Sequence, residues 1–456
     1  MSPPRGQKLW NPKIETLSAE ALRDLQWRRL GPQLLYDYER SPFYRETFKA
    51  AGLSPEDVRG WEDFERLPLM DKDRHREAQA RGLAEFGDPL ALLGCAPREE
   101  IVRINATSGT TGMPTLYALT ASDVAVVNEM HARKYWRAGI RPGDVMIQAL
   151  SLSMFTGGLP LSQGIMHMGA ACVPVGIEGG TSRVLEFVRL TKPKAMIATP
   201  SFGLHLIEEC RKHTGEPAAA LGIGWFFCAG EPGGGEPAVR TALSEGFGGA
   251  KVFDHTGGGH AFHGISREEP PGEFSGMYFV SGDHCIFELV DPATKAPVPL
   301  ADGARGEMAW TFLDWRGGPF LRYAMGDIAE VFVSPCPSGS PGMRFRIVGR
   351  ADDMLIIKGV NVYPAAIGAE IIALQPDVTG AFRIVLARPG PKVDPPLRLR
   401  VEHGRDIAKG ELAALAGKLD SRIRQSLRIG VEIEWLSPDT LPRQSHKTPL
   451  VEIAGG

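Results

Sequence analysis

The chain has 456 residues, 43% hydrophobic and 23% charged, with a formal net charge of -3. Its length exceeds one ordinary core and predicts two or three domains, and its near-balanced charge argues against a broad nucleic-acid or anionic-membrane surface. Six scattered cysteines without a CxxC pair, an opening MSPPRGQKLWNPKIETL with no apolar signal core, and no run of membrane-span length together predict a cytoplasmic, non-membrane protein without a disulfide framework.

Leu22, Leu25, Leu30 and Leu34 recur at helical spacing and predict helix over about 17–50. A polar stretch follows to about 100. Next comes Thr107-Ser108-Gly109-Thr110-Thr111-Gly112-Met113-Pro114-Thr115. Glycines let backbone N–H groups approach an anion, and hydroxyls add donors, so this loop suits a polyphosphate. No Gly-Lys-Ser/Thr follows, so it is not a Walker A loop, and a plain Ser/Thr-rich surface turn is the competing reading.

From about 101 to 265 short apolar runs alternate with helical patterns. Residues 145–147, 171–175 and 195–198 read as buried strands, and 181–190 and 202–212 as helices, which predicts a mostly parallel sheet covered by helices. Between about 276 and 333, residues 287–290, 307–310 and 328–333 read as antiparallel strands. Residues 334–342, rich in Pro, Gly and Ser, read as a loop. A composition shift near Gly349 opens a small α+β domain. It has Pro364 at a first helical position, Ile367, Ile371 and Leu374 on one face, a strand over 397–401, a helical stripe from Leu412 to Leu427 and a strand over 431–435. The fold class expected is therefore α/β, with a large multi-sheet domain at 1–348 and a small α+β domain at 349–456.

Four blocks in order carry a family resemblance. They are the 107–115 loop; Arg322-Tyr323-Ala324-Met325-Gly326-Asp327; 349–359, GRADDMLIIKG; and 441–447, LPRQSHK. Together they resemble the adenylate-forming superfamily. The segments WNPKIETLSAEALRDLQWRRL, SPFYRETFKAAGLSPEDV, Phe155-Thr156-Gly157-Gly158-Leu159, Ala198-Thr199-Pro200-Ser201-Phe202, Ala229-Gly230-Glu231-Pro232 and 359–364, GVNVYP, are similar to its phenylacetate–coenzyme A ligase branch.

The resemblance implies a mobile C-terminal domain and a two-step reaction. A carboxylate attacks the α-phosphate of ATP, and a thiol then takes the acyl group from the adenylate. It implies ATP, Mg2+ and coenzyme A as cofactors, a small aryl or arylacetic acid as substrate, and a homodimer. Lys447 is carried over as the catalytic lysine that contacts carboxylate and α-phosphate. Thr107, Ser108, Gly109, Thr110, Thr111 and Gly112 would receive the departing phosphates. Asp327 would accept from the ribose hydroxyls, and Arg350 would reach ribose or phosphate. Gly230, Glu231, Pro232, Asp254, His255 and Thr256 would line the nucleotide pocket. Phe155, Gly157, Gly158 and Phe202 would border the acyl pocket, Trp225 and Phe226 read as core aromatics, and Asp352 would be the hinge.

The chain departs from the family at one block. The family's Asp-x-Tyr-Gly-x-Ser/Thr-Glu reads Asp254-His255-Thr256-Gly257-Gly258-Gly259-His260 here, so its magnesium-holding glutamate is His260. Neutral imidazole suits hard cations poorly. The expectations are a flexible, roomy loop and a His260 that changes charge near its ordinary pKa of about 6.5. No protein metal ligands are assigned, and the zinc-binding Cys-x-Cys of many relatives is reduced to Cys336. Two other functions stay open: transfer of the acyl group to a carrier-protein thiol or an amine, and a non-catalytic nucleotide-binding relative.

Overall fold

The computed structural model describes residues 3–107, 114–270, 272–336, 342–351, 353–358, 360–388, 390–441 and 450–454, with Asn361 described by its backbone alone. A twelve-stranded mixed sheet runs through the larger body. Its parallel half lies in the order Ala171–Pro174, Val145–Gln148, Ala195–Ala198, Trp225–Cys228, Lys251–Thr256. Successive strand residues point to opposite faces, and the core divides accordingly. Met146 and Ile197 pack under helices Ala121–Arg137 and Leu159–His167, whereas Ile147 and Met196 pack under Gly180–Thr191, Pro200–Thr214 and Pro237–Gly246. The strand at 171–174 is half exposed, because it closes the sheet at its edge and is not buried on both faces as its apolar run predicts.

The sheet does not stop where the parallel pattern ends. It continues through antiparallel strands Gly264–Ser266, Met277–Phe279, Arg344–Arg350, Tyr323–Phe332, Arg305–Phe312 and Cys285–Val290. The N-terminal helices Ala19–Arg40 and Pro42–Ala50, capped by Ser18 and Ser41, bury Leu30, Leu34, Tyr44 and Phe48 against this half. Helix Lys72–Phe86 lies in the stretch that reads only as polar. It is capped by Asp71 and ended by Gly87 in the left-handed conformation.

Residues from 355 onward have their own core. Strands Val431–Leu436, Leu397–His403, Val378–Leu386 and Val451–Ile453 form one sheet, covered by helices Pro364–Ile372 and Leu412–Leu427. Ile367, Ile371, Leu415, Leu419 and Ile423 are buried there, as their spacing predicts. The two bodies meet at Ile372, which packs against the core beneath helices Gly180–Thr191, Pro200–Thr214 and Pro237–Gly246, and more tightly at Gly349. Tyr363 lies so close to the backbone of Gly349 that a Cβ there would stand 2.4 Å from its ring.

Candidate active site

Strands Ile101–Ala106 and Leu116–Thr120 pair antiparallel and bracket the hydroxyl-rich loop. Its base is closed by Thr107: its N–H donates to the Thr115 carbonyl at 3.0 Å, and the two threonine Oγ atoms lie 2.6 Å apart. Ser108, Gly109, Thr110, Thr111, Gly112, the hinge candidate Asp352 and Lys447 lie outside the described residues. Next to the hairpin, Ala106 donates to the Met154 carbonyl and bridges Phe155, so this acyl-pocket candidate sits beside the loop's base.

Asp327 and Arg350 face each other across the paired strands Tyr323–Phe332 and Arg344–Arg350. Arg350 Nη1 donates to Asp327 Oδ1 at 2.9 Å, so the two residues expected to share the ribose form one ion pair. The strand carrying Asp327 is tied back at Arg322. This buried guanidinium pairs with Glu288 and donates to the carbonyls of Glu65 and Leu67.

Glu231 turns toward the start of helix Pro200–Thr214, where its carboxylate accepts from the Ser201 N–H at 2.7 Å. Gly230 lies beside Thr199 with φ of 87°, and Pro232 follows at the surface. Phe202 packs with the helix layer that includes Leu206 and Val239, the face of the sheet opposite helix Leu159–His167. Asp254 also turns to that side, toward Arg240 and Gly234. Burial raises its pKa to about 7 against the opposing pull of Arg240. Strand alternation sends His255 the other way, against Tyr135 and Phe227.

The loop after Thr256 is the best-anchored part of the site. Lys134, fully buried on helix Ala121–Arg137, donates from Nζ to the carbonyls of Thr256 at 3.0 Å and Gly257 at 3.1 Å. His131 Nε2 lies 3.1 Å from the Gly258 carbonyl, and His263 Nε2 lies 2.7 Å from that of His260. From above, a Cβ on Gly258 would stand 2.1 Å from the Thr156 carbonyl oxygen, and one on Gly259 would stand 1.9 Å from Asn105 Nδ2. The three glycines therefore serve close packing, Gly257 against Phe262 and His263, Gly258 against Thr156 and Gly259 against Asn105, and do not make the loop loose and roomy. Gly158 is held the same way, with the Ser151 carbonyl where its Cβ would be. Lys134 and His131 carry no sequence signal of this role.

His260 also departs from expectation. Its ring lies against Trp310 and Phe312, and its Nδ1 is sequestered from solvent. Burial, reinforced by nearby Lys134, lowers its pKa to about 3, so it stays neutral across the physiological range. A neutral imidazole packed on aromatics does not fit magnesium, so no metal contact runs through position 260. Among the described residues, no group of three or more His, Cys, Asp or Glu side chains is placed to hold a metal ion.

Burial likewise pushes His131, His255 and His263 well below the ordinary histidine value. The unfolded chain then binds more protons than the folded one below about pH 6.5, so stability falls as pH drops through that range. His260→Asn should remove about 1.4 kcal/mol per pH unit from that slope below pH 6. Denaturant titrations of both proteins between pH 7.5 and 5 measure it. Equal slopes would mean that the ring is hydrated.

Comparison with known proteins agrees with this architecture. The sequence model described as AMP-binding enzyme matches residues 54–310, and that described as AMP-binding enzyme C-terminal domain matches residues 359–452. The phenylacetate–coenzyme A ligase of Thermus thermophilus is 34% identical, over 95% of this chain and 97% of its own length. A 2-hydroxyisobutyryl-CoA ligase in the postadenylation state, in complex with 2-HIB-AMP, superposes with a TM-score of 0.88 at 30% identity, covering 99% of this chain and 94% of the other. The same enzyme with 2-HIB-AMP and CoA in its thioesterification state covers the same shares at 30% identity, but with a TM-score of 0.69.

Proposed function

The chain belongs to the AMP-binding enzyme family, in its phenylacetate–coenzyme A ligase-like branch, and on that premise we propose that it joins an aromatic or arylacetic acid to coenzyme A. As an AMP-forming acid–CoA ligase it works in two steps. A carboxylate oxygen attacks the α-phosphorus of ATP as the bond to pyrophosphate breaks, giving an acyl-adenylate. The coenzyme A sulfur then attacks the acyl carbon, and AMP leaves. The ligation is supported by the fit of the whole chain, both bodies together, to an acyl-CoA ligase in its postadenylation state, and the aryl acid by 34% identity over 95% of the chain to a phenylacetate–coenzyme A ligase.

In this reading the 107–112 loop receives the phosphates, and Asp327, steadied by Arg350, accepts from the ribose hydroxyls. Gly230 to Pro232, with Asp254, His255 and Thr256, border the nucleotide, and Phe155, Gly157, Gly158 and Phe202 border the acyl group. Magnesium comes with the phosphates of ATP. The body after Gly349 pivots near Asp352 between the two steps, a reading supported by the drop in TM-score between two states of one neighbour.

A second substrate reading has an observation of its own. Tyr135 Oη and His255 Nε2 are buried without a hydrogen-bond partner among the described residues, and their rings lie 5.9 Å apart. A hydroxyl-bearing acid, like the 2-hydroxyisobutyryl group named for the structural neighbour, would use such groups. Pyrophosphate exchange with phenylacetate, benzoate and 2-hydroxyisobutyrate separates the two. We expect exchange with an aryl acid and product formation with coenzyme A alone. Exchange with the hydroxy acid only would replace the aryl reading.

A further inference from the structure

We propose that Lys134 is a positioning residue for adenylation. It holds the backbone of residues 256–258 so that the N–H groups of Gly257, Gly258 and Gly259 turn toward an anionic oxygen of the bound reactants. The inference rests on the adenylation reading above and adds a residue to it.

The geometry starts from the peptide plane. In a trans peptide the carbonyl of one residue and the N–H of the next point in opposite directions. Lys134 takes the carbonyls of Thr256 and Gly257, and His131 lies at hydrogen-bonding distance from that of Gly258. Three successive planes are thereby held with their oxygens toward helix Ala121–Arg137. The N–H groups of Gly257, Gly258 and Gly259 then face away from that helix. Successive amides turned to one side of a turn form an anion-binding concavity.

Lys134 is fully buried, and burial lowers its pKa below the ordinary lysine value. Its polar neighbours among the described residues are the two carbonyls and His255 Nδ1 at 3.4 Å. Tyr135 lies beside it, and burial pushes the surrounding His131, His255, His260 and His263 below the ordinary histidine value.

The test uses Lys134→Met, which keeps much of the bulk and removes the donors, and Lys134→Gln, which keeps an N–H2 group. Leaving buried carbonyls unpaired costs enough to predict a fall of about 30-fold in kcat/KM for pyrophosphate exchange in the Met variant. The Gln variant should stay within about fivefold of wild type. The KM for coenzyme A, measured with supplied acyl-adenylate, should not move. Affinities for ATP alone and for the acid alone show which anion the amides face, since only that ligand should weaken. Phe48→Leu, in the distant N-terminal core, serves as a control for general destabilisation.

Amide hydrogen exchange over residues 256–263 in ligand-free protein should quicken in Lys134→Met. This arm decides the holding role even if wild type activates no acid in the panel, an outcome that would sink the ligase reading instead. Unchanged exchange, unchanged affinity for both ligands, or the same kinetic loss in Phe48→Leu at equal thermal midpoint would each overturn the proposal.

Discussion

We expect Lys447→Ala to lower the adenylation rate by about two to three powers of ten, the loss that follows when one preorganised charge is removed from a transition state that gathers negative charge. The first step brings a carboxylate to a triphosphate and releases pyrophosphate, so cations and donors are its main resource. Lys447 ends the run Leu441-Pro442-Arg443-Gln444-Ser445-His446, which resembles the family's catalytic-lysine loop. Strand Val451–Ile453 follows in sequence and pairs with Val378–Leu386 in the C-terminal sheet. Transfer from supplied acyl-adenylate to coenzyme A should be largely intact, because no phosphate charge builds up there. Pyrophosphate exchange and a thioester assay with preformed adenylate measure the two steps separately. Near-normal exchange by the variant would remove Lys447 from the reaction.

The largest expected loss of stability comes from Asp283→Ala. Arg133 and Asp283 are both buried and form a bidentate pair at 2.7 and 3.0 Å, and Arg133 also donates to the Val280 carbonyl. Burial alone would raise the Asp283 pKa, but the guanidinium outweighs it and holds the carboxyl below its usual value. Removing the carboxylate leaves the buried guanidinium with only Glu129, at 3.1 Å, as counter-ion, and we expect a loss of about 3 kcal/mol. The double variant Arg133→Met with Asp283→Leu leaves no buried cation, Glu129 keeps Trp10 and Asn11 as donors, and it should recover most of that loss. Denaturant unfolding of the three proteins decides it. An Asp283→Ala loss below about 1 kcal/mol, the range of exposed pairs, would mean that water reaches the site.

The same helix shows why part of the site was hidden in the sequence. In Ala121–Arg137 the buried set includes His131, Arg133 and Lys134. Charged residues are almost never fully buried unless paired, so such a segment reads as solvent-facing. Its partners, Asp283 and the carbonyls of 256–258, lie more than a hundred residues away and leave no local trace. Helix Lys72–Phe86 is hidden for a related reason, since it buries His75, Ala78, Gln79 and Gly82, which form no apolar stripe. By contrast, helix Leu412–Leu427 presents Leu415, Leu419 and Ile423 at regular spacing and was legible throughout. The pairing of Asp327 with Arg350 could be named from motifs, but only the strand register puts them side by side. The glycine run misled in the other direction. Sequence alone does not distinguish a glycine that frees a loop from one that lets another backbone approach, and Thr156 and Asn105 make these the second kind.

The close approach at Gly258 and Gly259 bears on how this enzyme can be diversified. In a site whose loops tolerate side chains, new selectivity arises one substitution at a time along the loop itself. Here alanine at Gly258 would collide with the Thr156 backbone, so that route is sterically closed there, and at Gly259 the Asn105 side chain would first have to move. On the reading proposed above, variation enters from the surrounding walls, at positions such as Phe155 or Tyr135, where a side chain already stands and can be exchanged. A library aimed at altered acid selectivity should therefore leave 257–259 fixed and randomise those walls.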